Sequence, residues 1–391
     1  MKFKVFSKIR FFFLIYSVMI FSACHDSDKI EPEYGERTVL IYMAADNNLN
    51  KDGETNIKSI LKGMEQTAGR LVIYIDPRYD VPRLLTVKGG KGCRLDTLET
   101  YTEENSASPE VLARVVQEVQ KRYPASSYGL VLWSHGLGWV PPEYSFPGGY
   151  AMRLPDPDMP RTKYYAEDEH PGTTGKAYMD IREMAARLPG HFNFILWDVC
   201  FMGGIEVAYE LRNKTDYMIA SPAEVISDGF PYEKIVPLFW GGEEAMKQIC
   251  REYYNHYNKY PVNSLWRSAV VGLVKTEELE PLAAKVRTLL AGKTDYARAW
   301  HYPLNQGGLP MVFFDFGDYI RKMTTEEEYN SFKKLLDRVV IYKAATEKLF
   351  GEEVPADKFS GLTSYIPFSE WSDMNTYYYT LDWGATVYEN N

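Results

Sequence analysis

The 391-residue sequence predicts an α/β fold in which helices flank a mostly parallel β-sheet. Apolar runs of strand length recur at 38–45, 70–76, 128–135, 192–200, 216–222 and 268–274. They are continuously apolar, as expected of parallel strands covered on both faces. Helix-like segments near 53–66, 109–122 and 180–188 lie between the runs, where parallel strands need crossover connections.

The elements alternate in order as far as residue 275, and we therefore predict one α/β core over 38–275. The helix near 180–188 has its own start signal, because Asp180 and Glu183 have the spacing of a capping box. The order becomes less regular from residue 276 onward. Helices near 276–290 and 326–349 and a strand within 359–368 predict an irregular α+β extension, 276–391, packed on the core.

The segment 140–178 interrupts the alternation. It is rich in Pro, Gly, Tyr and acidic residues, without a helical or strand-like period. A loop of this length inside an α/β unit is usually functional or exposed. We expect a surface loop here.

The N-terminus has the features of an export signal. A basic start is followed by the apolar run 11–21, which is short for a membrane span. Ser22 and Ala23 then precede Cys24, an arrangement that resembles the lipobox of bacterial lipoproteins, in which the cysteine is lipidated. We predict a lipoprotein signal over 1–23 and an acidic tether over 24–37. The alternative is an ordinary signal peptide in which Cys24 has no role.

Charge argues against a nucleic-acid partner. The formal net charge is −9, and removal of the signal, with four basic and no acidic residues, would make it −13 (40 Lys+Arg against 53 Asp+Glu). Phosphate backbones require clustered Lys and Arg. An acidic surface is compatible with cationic substrates.

Cysteines beyond Cys24 are few. Three remain, Cys93, Cys200 and Cys250, and an odd count in an exported protein predicts at least one free thiol. A Cys93–Cys250 disulfide stays open, and no spacing resembles a zinc site.

Cys200 stands at a position that favours reactivity. It ends the run 192–200 and precedes a helical pattern, so a helix N-terminus would lower the pKa of its thiol. Asp198 should point to the same side as Cys200, because side chains alternate along a strand. The alternative is a small buried side chain without chemistry, which describes most free cysteines.

His135 ends the preceding run, 128–135, and strengthens the case. Parallel neighbouring strands ending in His and Cys would place a general base beside a thiol. The N–H of Gly136 is a candidate donor to an oxyanion. Ser134 neighbours His135 in sequence and should face away from it. An esterase or lipase is disfavoured because the Gly-x-Ser-x-Gly motif is missing.

Three blocks of the sequence resemble the clostripain family of cysteine peptidases, in the clan of caspases, gingipains, legumain and separase. They are TVLIYMAADNNL (38–49), LVLWSHGLGW (130–139) and ILWDVCFMGGIEVAYEL (195–211), with a weaker block at 361–367. The resemblance implies a caspase-like sheet and a His135–Cys200 dyad. It also implies an oxyanion hole formed by the backbone N–H groups of Gly136 and Cys200.

The resemblance further implies cleavage after basic residues, above all Arg, through acidic groups in the S1 pocket. Asp198 matches one such group, and a carboxylate there could pair with a guanidinium. Asp228 is the candidate for a second, with Glu224 as the alternative. The family usually has Pro-Gly before the equivalent of GFPY (229–232), and this sequence does not. Asp228 is therefore less well supported than Asp198.

Members of the family are often activated by self-cleavage between the His and Cys strands. The loop 140–178 contains four basic residues that could be cut, Arg153, Arg161, Lys163 and Lys176. The alternative is an exposed loop with ordinary surface charges.

Some members also need calcium. Residues 167–170 (EDEH) and the pair Asp156 and Asp158 could supply oxygen ligands, although no EF-hand spacing is present. A solvated acidic face is the simpler interpretation, and the chemistry itself requires no cofactor.

The sequence therefore predicts an exported cysteine endopeptidase, anchored in the bacterial cell envelope through Cys24, that cleaves proteins or peptides after Arg or Lys. The alternative function is a surface lipoprotein that binds peptides or partner proteins without turnover.

Overall fold

The structure is a computed structural model that describes residues 35–141, 158–163, 179–261, 263–305 and 312–388. All of them belong to one compact unit, 33–391. Several predictions lie outside the described residues: the signal 1–23, Cys24, the start of the tether, Arg153, Asp156, 167–170 and Lys176.

The strands of the described residues are numbered in chain order. They are β1 (Gly35–Ala45), β2 (Arg70–Pro77), β3 (Arg83–Lys88), β4 (Asp96–Thr100), β5 (Ala125–Trp133), β6 (Phe192–Asp198), β7 (Thr215–Ala220), β8 (Val270–Lys275), β9 (Phe314–Asp315), β10 (Val340–Ala345), β11 (Lys348–Leu349), β12 (Glu352–Glu353) and β13 (Thr363–Ser364).

The helices are numbered in the same way. They are α1 (Asn50–Met64), α2 (Pro109–Arg122), α3 (Ile181–Arg187), α4 (Ile205–Glu210), α5 (Tyr232–Ile235), α6 (Glu243–Asn258), α7 (Leu279–Leu290), α8 (Phe316–Met323), α9 (Glu326–Val339), α10 (Ser372–Tyr378) and α11 (Asp382–Tyr388).

Nine of the described strands form one sheet, in the order β10-β8-β7-β6-β5-β1-β2-β3-β4. Its centre, β2-β1-β5-β6-β7, is parallel. Antiparallel pairs extend it on both sides, through β3 and β4 at one edge and β8 and β10 at the other. The predicted mostly parallel sheet is confirmed, with five of the six apolar runs at its parallel centre. The sixth run, 268–274, forms β8, which pairs antiparallel with β7.

Helices pack against this sheet in two contact groups. One group contains α1, α5 and α6, and α6 also contacts β8 and β10. The other runs from α2 through α3, α4, α11 and α7 to α9. Local sequence starts several of them: the Ser108 side chain accepts N–H groups at the start of α2, Asp180 does so for α3, and Thr325 forms a capping box with Glu328 at α9.

The C-terminal part departs from two predictions of detail. The helix predicted over 326–349 ends at Val339, and Val340–Ala345 forms β10, which pairs with β8. The strand predicted within 359–368 is limited to Thr363–Ser364. In both places the long-range partner decides the structure, because local propensity is a weak guide where tertiary pairing is available.

The thiols are free. Cys93, Cys200 and Cys250 are all unpaired, so the free thiol expected from an odd count is present, and the Cys93–Cys250 disulfide does not form in this structure. Separately, no helix among the described residues has the length and apolar character needed to cross a membrane.

A buried carboxylate links the C-terminal part to the core and predicts a pH-dependent stability. Glu206 of α4 accepts the N–H of Tyr365 at 2.7 Å, and burial raises its pKa to about 7. Between its ordinary pKa of 4.5 and about 7 the native state holds a proton that the unfolded chain has lost. Its contribution to stability is therefore present at low pH and is lost as the pH rises.

We expect Glu206→Gln to flatten this dependence. The free energy of unfolding should fall between pH 5 and 8 by about 2–3 kcal/mol less in this variant than in the wild-type chain, at 1.36 kcal/mol per pKa unit. Urea titrations at several pH values measure it. Parallel pH curves for the two chains would contradict the assignment.

Candidate active site

The carboxyl ends of β5 and β6 place the two predicted catalytic side chains at one edge of the sheet. The strands are parallel neighbours, and Trp133 at the end of β5 pairs with Asp198 at the end of β6. His135 and Cys200 each follow their strand by two residues. This is the edge at which open α/β sheets bind their ligands.

Gly136 lets the two strand ends approach closely. A Cβ atom at this position would lie 2.3 Å from Cγ1 of Val199 and 3.4 Å from the carbonyl oxygen of Cys200. A larger residue would therefore push the histidine loop away from the cysteine loop. Glycine at 136 therefore allows the backbone to lie beside Cys200.

His135 is oriented by the loop that follows β1. The imidazole is buried, and its Nε2 lies 2.6 Å from Oδ1 of Asn48. The amide oxygen is the acceptor in this contact, which fixes the orientation of the ring. Asn48 therefore orients the histidine.

Cys200 is fully buried in this form of the protein. Its Sγ accepts the N–H of Val225 at 3.0 Å. Burial raises the pKa of the thiol well above its usual value, and the nearby Glu224 raises it further. The prediction of a lowered pKa is wrong here, because α4 begins only at Ile205 and the thiol is shielded from water.

The residue after the thiol has a strained backbone. Phe201 has φ 61°, a conformation that side chains other than glycine rarely adopt. Its N–H bonds to the carbonyl of Ala223 at 3.0 Å, and its ring stacks on Phe313 with centroids 4.2 Å apart. Strain held by such contacts is typical of functional turns.

A short segment of the chain itself occupies the groove beside Cys200. Thr162 pairs with Ile226 as an antiparallel bridge. The N–H of Lys163 bonds to the carbonyl of Val225 at 2.8 Å, and the N–H of Ser227 bonds to the carbonyl of Arg161 at 2.9 Å. Residues 161–163 therefore lie as an added strand along 225–227.

Lys163 contacts both strand ends of the site, through its carbonyl and through its side chain. Its carbonyl accepts the N–H of Gly136 at 3.4 Å. Its side chain is fully buried, with Nζ 2.7 Å from Oδ1 of Asp198 and 4.3 Å from the centroid of the Trp133 ring. Burial lowers the pKa of this amine, while the Asp198 charge acts in the opposite direction.

Two hydrogen bonds fix the carboxylate of Asp198. Its Oδ2 accepts the hydroxyl of Tyr232 at 2.9 Å and the N–H of Phe230 at 3.3 Å. Gly229, at φ 73°, passes so close that a Cβ there would lie 2.4 Å from Oδ2 and 2.8 Å from Nζ of Lys163. Asp198 and Gly229 thereby enclose the ammonium group of Lys163.

The two further acidic candidates have other contacts. Asp228 precedes the turn at Gly229, and its Oδ2 accepts the hydroxyl of Tyr260 at 2.8 Å; its role in S1 stays a prediction. Glu224, the alternative, contacts Thr162 instead of Lys163, with Oε2 2.6 Å from the threonine hydroxyl. Neighbouring side chains of an extended segment point to opposite sides, so Glu224 faces a different position.

The remaining sequence candidates are placed as follows. Arg161 is exposed and contacts Asp52, and the Ser134 hydroxyl donates to the carbonyl of Ala44 at 2.9 Å. Among the described residues, no three His, Cys, Asp or Glu side chains group as metal ligands would. Asp158 is described, and its carbonyl accepts the Asn263 amide at 3.1 Å.

Sequence reasoning missed several contributors. The roles of Asn48, Asp52, Tyr232 and Asn305 depend on contacts between residues far apart in the chain, and no local signal distinguishes these residues from ordinary polar ones. Asn48 lies inside the block 38–49 that resembles the family, and this resemblance is the one feature of the sequence that points to it.

The assembled groups have the chemistry of acyl transfer. A thiol and an imidazole lie at the same edge of the sheet, and the backbone N–H of Gly136 binds the carbonyl oxygen of Lys163 there. A carboxylate fixes the basic side chain of that same residue.

Two solved structures are similar to this chain. The X-ray structure of an inactive zymogen of a C11 protease from Parabacteroides distasonis has a TM-score of 0.76 and 34% sequence identity, covering 91% of this chain and 99% of that one. A secreted C11 cysteine protease from Bacteroides thetaiotaomicron, in complex with an irreversible peptide inhibitor, has a TM-score of 0.75 and 29% identity, covering 90% and 99%. The predicted caspase-like α/β fold is confirmed.

Sequence comparison agrees. Clostripain from Hathewaya histolytica is 26% identical over 228 residues, which cover 51% of this chain and 41% of clostripain, so the match spans about two fifths of that relative's length. The sequence model of the clostripain family matches residues 41–383, which is most of the chain. The chain therefore belongs to the clostripain family of cysteine peptidases.

Proposed function

We propose that this chain is a cysteine endopeptidase that cleaves after Lys or Arg, using His135 and Cys200 as a dyad. The observation that carries the proposal is the position of Lys163. Its side chain meets Asp198 at 2.7 Å, while its carbonyl accepts the N–H of Gly136. A substrate residue at P1 would need these two contacts together, next to the thiol.

In the proposed mechanism the imidazole of His135 takes the proton of Cys200, and the thiolate attacks the carbonyl carbon of the P1 residue. The N–H groups of Gly136 and Cys200 stabilise the oxyanion. The C–N bond then breaks, His135 protonates the leaving amine, and water hydrolyses the thioester. No step needs a cofactor; assays with added calcium and with chelator test whether calcium contributes.

The described form has the properties of an uncut precursor. Lys163 fills the pocket, and burial keeps the Cys200 thiol protonated by raising its pKa. We propose that the chain activates itself by cutting the bond between Lys163 and Tyr164. Arg161 is the less suitable site, since its side chain is 62% exposed rather than buried beside Asp198.

Lys163→Ala should abolish this cut, because alanine leaves Asp198 without a cation in the pocket. Gel electrophoresis of the purified full-length chain over time, with N-terminal sequencing of the fragments, measures it. The wild-type chain should yield a fragment that begins at Tyr164, and the matched control Lys176→Ala should yield the same fragment. A cut at another position in Lys163→Ala at the wild-type rate would remove Lys163 from this role.

Cleavage of peptides in trans tests the enzyme itself. Fluorogenic peptides with Arg or Lys at P1 should be cleaved much faster than those with Asn, Asp or Phe at P1. A preference for another P1 residue would keep the dyad and discard the Asp198 pocket.

We further propose that the protein is exported and anchored in the cell envelope through a lipid on Cys24. The signal-like residues 1–23 support export, as does the description of the Bacteroides thetaiotaomicron relative as secreted. Metabolic labelling with a palmitate analogue should mark the wild-type chain and not Cys24→Ser.

A second candidate function is peptide binding without turnover. The occupied groove favours it as well, because an antiparallel added strand is a common mode of peptide binding. An iodoacetamide probe separates the two: after release of 161–163, a catalytic Cys200 thiolate should react far faster than Cys250, whereas a binding protein should show no such difference.

A further inference from the structure

We propose that the groove recognises three consecutive residues, with Asp52 as a subsite for a basic residue at P3 and Glu224 as a subsite for a hydroxyl residue at P2. This rests on the proposed function, in which Asp198 binds a basic P1 residue. The substrate class is then basic–hydroxyl–basic, such as Arg-Thr-Lys.

The backbone pairing fixes the register of the bound segment. Hydrogen bonds on both sides of Thr162, from the N–H of Lys163 to Val225 and from the N–H of Ser227 to Arg161, are 2.8 and 2.9 Å long. A segment held in this way cannot slide by one residue without losing both bonds and reversing its side chains. Each side chain therefore has one place along the groove.

The P3 position meets a carboxylate on α1. Nη2 of Arg161 lies 3.0 Å from Oδ1 and 2.8 Å from Oδ2 of Asp52. The Asp52 side chain is only 15% exposed, and burial raises the pKa of its carboxyl, which the arginine opposes. A partly dehydrated carboxylate favours a guanidinium or ammonium over a neutral or acidic side chain.

The P2 position meets a carboxylate that is buried with its partner. The hydroxyl of Thr162 donates to Oε2 of Glu224 at 2.6 Å, and the two residues are 6% and 1% exposed. Valine has the shape of threonine but cannot donate a hydrogen bond. It would leave Oε2 of Glu224 buried without that donor.

Asn305 joins this subsite to the incoming chain. Its backbone N–H donates to Oε1 of Glu224 at 2.7 Å, and its side-chain amide donates to the carbonyl of Pro160 at 2.7 Å. The Glu224 carboxylate thus has one oxygen fixed by the protein, and the other faces the P2 hydroxyl.

The expected sizes of the two preferences differ. Losing a buried hydrogen bond to a carboxylate should lower kcat/KM by about 10- to 100-fold. Losing a partly exposed ion pair should lower it by up to about fivefold. Selectivity at P2 should therefore exceed selectivity at P3.

The test measures kcat/KM of the self-processed full-length chain on four fluorogenic peptides, Arg-Thr-Lys, Glu-Thr-Lys, Ala-Thr-Lys and Arg-Val-Lys. Wild type should prefer Thr over Val at P2 by at least about tenfold, and Arg over Glu at P3. Asp52→Lys should reverse the P3 preference towards Glu. Glu54→Lys, an exposed position on the same helix, adds the same charge and should keep the preference for Arg.

A second readout uses the chain itself. Arg161→Glu should slow self-cleavage after Lys163, and Asp52→Lys combined with it should restore the rate. This double variant keeps the P3 test independent of the peptides, and the Thr and Val peptides test P2 without a variant of Glu224.

The outcomes separate the two proposals. Equal cleavage of all four peptides by wild type would overturn the subsites and leave the proposed function intact. If the chain cleaves none of the four peptides and also fails to cut itself, the proposed function is overturned. A P3 preference that Asp52→Lys does not change would overturn the role of Asp52.

Discussion

Cys200→Ala should abolish hydrolysis of peptides with Lys or Arg at P1, lowering kcat by at least about 10⁴-fold, and the chain should stay uncut at Lys163. The reason is that the Cys200 sulfur is the only protein atom that bonds to the substrate carbonyl carbon in the proposed mechanism. His135→Ala should be about as damaging, since the two groups act as one unit and their effects do not add.

Cys250→Ala is the matched control. This thiol is also fully buried, but it lies on α6, and burial raises its pKa with no acidic or basic partner from the site. The variant should keep wild-type cleavage. Progress curves and a gel time course on the three variants measure the difference. Substantial hydrolysis by the Cys200→Ala variant, if it persists after treatment with an iodoacetamide probe, would refute the dyad.

Asp198→Asn should lower kcat/KM for peptides with Lys at P1 by about 10²–10⁴-fold, because removing one partner of a buried ion pair leaves the other charge uncompensated at about 3–5 kcal/mol. The asparagine retains an oxygen for the hydroxyl of Tyr232, so the pocket keeps its shape. Peptides with Met at P1 should be affected far less. The ratio of the two kcat/KM values is the measurement.

Two comparisons make that ratio interpretable. Asp96→Asn removes an exposed charge on β4 and should leave the ratio unchanged. Asp228→Asn should have a smaller effect than Asp198→Asn, since its carboxylate contacts Tyr260. A loss in Asp228→Asn as large as in Asp198→Asn would place both carboxylates in S1.

The central sheet and the position of the dyad follow from local sequence. Continuous apolar runs identify β1, β2, β5, β6, β7 and β8, and His135 and Cys200 follow neighbouring strands whose ends must meet at one edge. The antiparallel strand β4, at Asp96–Thr100, escapes prediction because it is the edge strand of the sheet and is largely exposed and polar. Edge strands need no continuous apolar pattern.

The groove contacts could not be predicted in the same way. Nothing local distinguishes Lys163 from Arg161 or Lys176, and only pairing with 225–227, some sixty residues later, selects it. Glu224 illustrates the same limit. Its distance along the chain from Asp198 suggests the P1 pocket, whereas the register of the added strand turns it towards Thr162.

The link between Lys163 and the rest of its own chain has a consequence for timing under the proposed function. A tethered side chain faces the pocket at an effective concentration in the millimolar range, which free peptides do not reach at ordinary dilution. Competing substrates therefore wait for an intramolecular event whose rate does not depend on how many copies of the protein are present. Each molecule is therefore activated at a rate that is independent of the protein's concentration, and a single copy in the envelope would mature as fast as one among thousands.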